Sequence, residues 1–197
     1  MKVVSAILFF LVVTIAGLGQ VVSYQDFRTI IPLLEKEDFE TAFKKTNTIL
    51  STTINDSSDM RAIVTYMDLY AAAGMVSLNK MTYDDFSKNA NKYIGQRLVM
   101  SGHPCIDSAV HGFNSLQFVT EEGHVVGTTA TTNNANTSIF FFEYFAYANE
   151  VNPADYLGKN VRCGGTLHSI EINPNHSTVW VSRLFISDAF IRESNPR

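Results

Sequence analysis

The sequence predicts an α+β fold in which about four helices precede a small five-stranded β-barrel. Three observations lead to this prediction. Apolar residues recur at helical spacing from Tyr24 to about Asn91. After Tyr93, β-branched and aromatic runs are separated by Gly, Asn, Thr and Pro clusters, which is typical of strands and loops. Two similar segments, "YIGQRLVMSG" at 93–102 and "YLGKNVRCGG" at 156–165, each indicate the entry into a strand.

The composition is that of a globular protein with a slightly acidic balance. The chain has 197 residues, of which 46% are hydrophobic and 12% aromatic, enough apolar material for a packed core. Fifteen Lys and Arg residues against 19 Asp and Glu residues give a formal net charge of −4. This charge argues against nucleic acid as a partner, because such affinity comes mainly from neutralising phosphates.

The first residues, "MKVVSAILFFLVVTIAGLGQVVS" (1–23), have the layout of a secretory signal peptide. A lysine precedes an apolar run from Val3 to Leu18, which is shorter than a comfortable membrane span of about twenty residues. Cleavage after Gly19 or after Ser23 would leave a small residue at the cut, and the alternative is an uncleaved anchor. We expect an exported protein, periplasmic or extracellular, with no stable membrane span after cleavage.

A helical domain is predicted over residues 24–92. The segment "DFRTIIPLLEKEDFETAFKKTNTILST" (26–52) fits two short helices with a break near Glu37 to Phe39. The third helix is predicted within "SSDMRAIVTYMDLYAAAGMV" (57–76), which starts with Ser and Asp as candidate N-caps. It meets Gly74 where a C-cap glycine would lie.

The fourth helix is predicted in "TYDDFSKNANKY" (82–93). Thr82 opens this segment and Asp85 follows three residues later, a weaker relative of the capping box. Beyond it, the polar stretch "GTTATTNNANTS" (127–138) indicates a loop between the second and third of five strands. The predicted strands are Arg97–Ser101, Ser115–Thr120, Ser138–Tyr147, Asn160–Ser169 and Thr178–Ile186.

The two similar segments indicate two strands of one barrel rather than two copies of a domain. Counting the strand that each motif opens, three strands lie between the first motif and the second, whereas two follow the second. A tandem duplication would need equal numbers. We therefore predict that the strand after Gly95 pairs with the strand after Gly158, within a barrel over residues 93–190 that is followed by a tail over 191–197.

Five strands with a short break after the third, here "NEVNPADYL" (149–157), match the plan of the OB-fold, a small Greek-key barrel. The segment Tyr93 to Ile186 also resembles the exported bacterial OB-fold proteins of the tRNA-anticodon-binding-like group. The resemblance rests on the two motifs and on the closing "TVWVSRLFI". It implies an OB-fold-like Greek-key β-barrel and carries over no activity, because fold alone does not imply function.

Two features depart from this family pattern, and individual function is expected there. One is the long polar insertion after Gly127. The other is "GHPCIDSAVHG" in the loop after the first strand, which contains His103, Cys105, Asp107 and His111. These side chains can all bind transition metals, but their spacing matches no standard site. We interpret the segment as a polar loop and predict neither a bound metal nor another cofactor.

Cys105 and Cys163 form a candidate disulfide. Export would place them in an oxidising compartment, and the first and fourth strands of an OB barrel are neighbours. The bond requires Cα atoms within about 7 Å of each other. The alternative is that Cys163 is a small buried residue of the core.

The third strand, "SIFFFEYFAYANE" (138–150), is rich in aromatic residues. Alternation places half of them toward the core. The other half either pack against the N-terminal helices or form a stacking platform for single-stranded nucleic acid. Packing is favoured because the strand has none of the Lys and Arg residues that accompany such platforms.

The sequence contains no standard catalytic motif, so we predict a protein that is not an enzyme. It is expected to be an exported binding or interaction module for a protein or a small ligand. The alternatives are oligosaccharide or nucleic-acid binding in the OB groove, and a metal-dependent enzyme on the His103 to His111 loop. In OB-folds the loops after the first strand and before the fifth flank the groove. A ligand is therefore expected to contact His103, Asp107, His111 or Asn175, unless these residues are solvated loop tips.

Overall fold

A computed structural model describes residues 20–110, 112–177 and 179–194 of the chain. This part begins with four α-helices, as predicted: α1 (Tyr24–Glu35), α2 (Phe39–Thr52), α3 (Asp59–Ser77) and α4 (Tyr83–Asn91). Among these helices, none has the length and apolar character needed to cross a membrane. Residues 1–19 of the predicted signal peptide lie outside the described residues.

Local capping signals set the helix starts. Ser58 caps α3 by accepting a hydrogen bond from the Arg61 amide, and Thr82 caps α4 through the Asp85 amide, as the sequence predicted. Ser23 and Asp26 form a complete capping box at the start of α1. Each cap satisfies an amide that the first helical turn leaves without a partner.

Gly74 does not end α3, contrary to the prediction, because the helix continues to Ser77. A Cβ atom at position 74 would lie 2.5 Å from ring atoms of Phe39. The glycine therefore allows the first residue of α2 to pack directly on the backbone of α3, which is a tertiary contact rather than a cap.

The helices are followed by one mixed sheet, so the α+β class is confirmed. Its strands are β1 (Arg97–Val99), β2 (His103–Pro104), β3 (Gln117–Glu121), β4 (His124–Thr132), β5 (Ile139–Tyr147), β6 (Asn160–Ile172) and β7 (Trp180–Glu193). They run in the order β1-β6-β7-β5-β4-β3, with β2 also paired to β6; β5 and β7 are parallel, and the other named pairs are antiparallel. This path is open, so the sheet is not closed.

The described residues thus contain seven strands where five were predicted. The segment predicted as a polar loop forms most of β4, since its threonines are β-branched and favour extended backbone. Thr129 and Thr131 point to the buried face, where their hydroxyls bond the carboxyl group of Glu143. β7 continues to Glu193, inside the segment predicted as a tail.

The two similar motifs pair as predicted. β1 and β6 are antiparallel, with Arg97 opposite Thr166. Gly95 and Gly158 have φ angles of +82° and +77°, which glycine adopts at low cost. Each copy of the motif therefore forms a tight turn followed by a strand.

The core lies between the helices and one face of the sheet. α3 is buried on most of its surface and contacts β1, β5 and β7 as well as the other helices. Aromatic rings join the layers: Tyr70 lies 4.8 Å from Phe140 between ring centroids, and Tyr66 lies 6.0 Å from Phe141. Two buried carboxyl groups, Asp68 and Glu143, also lie in this region.

Candidate functional site

A cavity of about 420 Å³ lies between the helical layer and the sheet. One wall comes from α1 and α3 and consists of apolar and aromatic side chains, with Glu35 at the end of α1. The opposite rim comes from the β1–β2 connection, the segment before β3, the end of β4 and the turn that follows it. The wall includes Phe27, Leu34, Ile63, Tyr66, Met67 and Tyr70, and the rim includes Ser101, His103, Asn114, Thr132 and Asn136.

The rim is held by its own hydrogen bonds. The Asn114 amide group donates to Thr132 Oγ1 at 2.8 Å, and its oxygen accepts from the Thr132 backbone amide at 3.0 Å. Thr132 Oγ1 in turn donates to Asn136 Oδ1 at 2.6 Å. Asn114 and Asn136 have positive φ angles, which asparagine tolerates better than most residues. These bonds fix the rim residues relative to one another.

His103 joins the rim to the sheet and is 7% exposed. Its Nδ1 atom lies 2.7 Å from the backbone oxygen of Asn114, and its Nε2 atom lies 3.3 Å from Ser101 Oγ. A carbonyl oxygen only accepts, so Nδ1 carries the proton of the neutral ring. Burial lowers the pKa of His103, which favours that neutral form. Nε2 then accepts from the Ser101 hydroxyl.

The turn after β4 is attached to the corner between α1 and α2. The Asn134 backbone amide donates to Glu37 Oε1 at 2.7 Å, and its side-chain amide donates to the Glu35 carbonyl at 2.9 Å. Asn133 and Asn134 also line the cavity. These two bonds hold the edge of the cavity against the helices.

Glu143 lies behind Tyr66 and Thr131, two residues that line the cavity. The Tyr66 hydroxyl donates to Glu143 Oε1 at 2.5 Å, and the Thr131 hydroxyl donates to Oε2 at 2.9 Å. Thr129 donates to the same carboxyl group. Burial raises the pKa of Glu143 and, together with the Glu143 charge, raises the pKa of Tyr66.

The structure places one of the four predicted ligand contacts in this cavity. His103 lines it, whereas Asp107 accepts from the Ala109 amide at 2.9 Å and lines a different, smaller cavity. Asn175 lies in the turn between β6 and β7, where its amide donates to Asn173 Oδ1. His111 lies outside the described residues. The described members of the predicted set therefore do not converge.

Sequence reasoning missed most of the cavity. Tyr66, Asn114 and Arg162 come from segments far apart along the chain, and no local pattern connects them. The polar insertion after Gly127 was the available signal, because it supplies Thr131 through Asn134 to the cavity lining. The sequence of this insertion does not show that the turn after β4 packs against the end of α1, because the contacting residues are distant along the chain.

Cys105 and Cys163 are both buried and both free, so the candidate disulfide is not formed. The Cys105 amide donates to the Lys159 carbonyl, so Cys105 lies beside the residue before β6, whereas Cys163 is the fourth residue of that strand. Burial raises the pKa of the Cys163 thiol to about 12, as expected for a core cysteine.

The aromatic strand β5 divides between two faces. Phe140 packs on Phe39 and Tyr70 of the helices, as favoured from the sequence. Phe142 and Tyr144 instead face away from the helices and contact aromatic residues of β7. Their partners are Trp180, at 6.0 Å between ring centroids, and Phe185, at 5.2 Å. Helix packing therefore explains only part of this strand.

Among the described residues, no group of three or more His, Cys, Asp or Glu side chains is placed to hold a metal ion. No protein-family model, curated protein or solved structure matches the chain.

Proposed function

We propose that the protein is an exported, non-enzymatic binding module whose small ligand occupies the cavity between α1, α3 and the sheet. One observation carries this proposal: an apolar wall faces an ordered polar rim across about 420 Å³. Small-molecule sites of about 300–1,000 Å³ usually combine an apolar lining with a few placed polar groups. They also favour the boundary between two structural layers.

The arrangement of polar groups supports binding rather than catalysis. Both ring nitrogens of His103 are engaged by protein atoms, and the Asn114 side chain bonds Thr132 at both ends. Side chains fixed in this way select a ligand by shape and hydrogen bonding. The expected ligand has an apolar body and a polar edge.

A neutral fluorescent dye, N-phenylnaphthylamine, tests the cavity. We expect its emission to rise with the wild-type protein and to stay low with Ser101→Trp, because an indole at the rim fills the space. Ser51→Trp on the exposed face of α2 is the matched control and should bind like wild type. Equal binding by all three proteins would place the dye elsewhere and contradict the proposal.

The OB-fold-like Greek-key barrel remains part of the proposal. The parallel pairing of β5 with β7 supports it, as does the position of β6 between β1 and β7. An isolated parallel bridge between Cys105 and Leu116 also brings the end of β2 beside the start of β3. A crystal structure tests closure. Continuous hydrogen bonding between β2 and β3 would establish the barrel, and separation of these two strands would exclude it.

The signal-peptide-like segment of residues 1–23 supports export. Contacts at the start of α1 favour cleavage after Gly19 over cleavage after Ser23. The Val22 amide donates to Asp56 Oδ2 at 2.7 Å, and Ser23 caps α1. Cleavage after Gly19 keeps both contacts, whereas cleavage after Ser23 removes them. N-terminal sequencing of the exported protein should therefore begin at Gln20, and retention of Met1 would refute cleavage.

A second candidate function is oligosaccharide or nucleic-acid binding on the outer face of the sheet. The favouring observation is the exposed-side aromatic group of Phe142, Tyr144 and Phe185 with Arg183 lying 5.1 Å from the Trp180 ring centroid. Trp180 is the one tryptophan in the chain and reports on this face. Unchanged tryptophan emission on adding single-stranded oligonucleotides or oligosaccharides would remove this candidate.

A further inference from the structure

We infer that the ligand of this cavity is an amphipathic anion: an apolar molecule with a carboxylate, phosphate or sulfonate head that binds beside Arg162. The inference rests on the proposed function, since it names the class of molecule that the same cavity binds. Two observations that share Arg162 support it, namely the lining of an adjoining cavity and the arginine residues near Asp59 on the sheet.

A second cavity, of about 530 Å³, adjoins the first. The two share Phe27, Ile63 and Arg162, so Arg162 belongs to both. Arg28 of α1 adds a second guanidinium group to this lining. None of its described lining residues carries a carboxylate, and apart from Tyr24 the rest are apolar. An apolar space with two cations matches a molecule with one negative end.

Arg162 also belongs to a cationic cluster. It lies directly opposite Arg192 in the register of β6 and β7, where like charges repel. The two oxygens of Asp59 bind Arg97 at 2.6 Å and Arg192 at 2.8 Å. Arg162 acts on the same carboxylate, since it helps to lower the pKa of Asp59. Two guanidinium groups thus bind Asp59, and Arg162 adds to the positive potential at the same carboxylate.

Two carboxyl groups lie at or near the first cavity. Glu35 lines it together with Arg162 and is seven residues after Arg28 on α1, which separates Glu35 from Arg28 by ~10 Å along the helix. Glu143 lies behind Tyr66 and Thr131, and burial raises its pKa toward the neutral form. His103 follows the connection from β1 and lies opposite Val161, the neighbour of Arg162. Its partner Ser101 lines the same cavity as Arg162.

A matched pair of dyes tests the charge preference. Anilinonaphthalenesulfonate differs from N-phenylnaphthylamine by one sulfonate group, so the comparison isolates the anion. We expect wild-type protein to bind the sulfonate dye about tenfold more tightly, and Arg162→Gln to remove that advantage while changing the affinity for the neutral dye by less than about twofold. Arg183→Gln is the control, because Arg183 pairs with Glu171 on the outer face.

The outcomes separate this inference from the proposed function. If the neutral dye binds and Ser101→Trp blocks it, but the sulfonate dye binds no more tightly, the anion inference is wrong and cavity binding stands. If Ser101→Trp blocks neither dye, both proposals fail. Should Arg162→Gln fail to fold, as judged by circular dichroism, Arg28→Gln on the exposed side of α1 decides. Weaker binding of the sulfonate dye alone would support the inference, and unchanged binding would overturn it.

Competition with alkyl compounds identifies the head group. Dodecanoate, dodecyl phosphate and dodecanol have the same chain, and each is titrated against bound N-phenylnaphthylamine. Both anions should displace the dye at concentrations at least about fivefold below dodecanol. The stronger of the two assigns the head as a carboxylate or a phosphate. Displacement by dodecanol at the same concentration as both anions would overturn the inference.

Discussion

Two buried carboxyl groups, Asp68 in the helical layer and Glu143 in the sheet, occupy different surroundings. The side chain of Asp68 is fully buried, and Lys92 Nζ lies 4.0 Å from it. It accepts hydrogen bonds from two hydroxyl and two amide groups: Thr46 at 2.6 Å, Asn47 at 2.7 Å, Asn89 at 3.0 Å and Tyr93 at 2.8 Å. Through these partners one carboxylate joins α2, α3, α4 and the entry to β1.

Glu143 is equally buried, but its described partners are hydroxyl groups, those of Tyr66, Thr129 and Thr131. A hydroxyl can donate or accept, whereas an amide NH₂ group and an ammonium group only donate. The Glu143 site can therefore hold either protonation state. The Asp68 site requires an acceptor. Asp68 therefore holds the helices together, whereas Glu143 lies behind the cavity among hydroxyl groups that suit either protonation state.

Replacement of Asp68 should have the largest effect. Asp68→Ala leaves four donors and a nearby ammonium group without their acceptor, so we expect a loss of about 3–5 kcal/mol in the free energy of unfolding. Urea denaturation followed by circular dichroism measures it. Asp84→Ala, on the exposed first turn of α4, is the control. A loss below about 1 kcal/mol would show that Asp68 is not the centre of the helical layer.

Two tyrosine variants compare the sites directly, because each removes one hydroxyl donor and keeps the ring. Tyr93→Phe takes a donor from the Asp68 carboxylate and should cost about 2 kcal/mol. Tyr66→Phe takes a donor from Glu143 and should cost about 1 kcal/mol, since that carboxyl group can retain a proton instead. Urea denaturation of both variants at the same pH checks the order. The reverse order would break the comparison.

Glu143→Gln should have the smallest effect, within about 1 kcal/mol at neutral pH, and should change the pH dependence of stability. Burial raises the pKa of Glu143 above its ordinary value of 4.5. Between that value and the raised one, the unfolded chain ionises this group while the folded chain keeps its proton. Wild-type stability should therefore fall relative to the variant as pH rises from about 4.5, by at most about 1.4 kcal/mol per pH unit, and then level off.

Urea denaturation of wild type and Glu143→Gln, in steps from about pH 4 to about pH 8, measures this difference across the expected window. A constant difference would mean that Glu143 has the same pKa in the folded and unfolded chains. The contrast with Asp68 would then rest on partner number alone.

The helical layer was predictable because its signals are local. Ser58 and Thr82 cap helices through amides three residues away, and the break before Phe39 appears in the spacing of apolar residues. Gly74 was misread because its role depends on the ring of Phe39, which sequence spacing does not reveal. Local rules therefore predict where helices start better than why a glycine lies within one.

The sheet and the cavity were harder to predict because their partners are distant in sequence. The threonines of β4 resembled an exposed loop, since Glu143, which accepts hydrogen bonds from Thr129 and Thr131, lies on another strand. His103 was identified from a polar segment beside a strand. Asp107 belongs to the same segment but only stabilises a turn. Residue type indicated His103 as a candidate. The sequence did not show which distant residues lie with it around the cavity.

The attachment of Asn134 to Glu35 and Glu37 has a thermodynamic consequence. These bonds join residues more than 90 positions apart, and one edge of the cavity exists only while the turn after β4 is docked on the helices. Occupation of the cavity and docking of the helical layer are then linked equilibria. A ligand that binds the docked state alone stabilises it by RT ln(1 + [L]/Kd), about 2.7 kcal/mol at a hundred times Kd. The helices and the sheet are thereby coupled through the space they enclose.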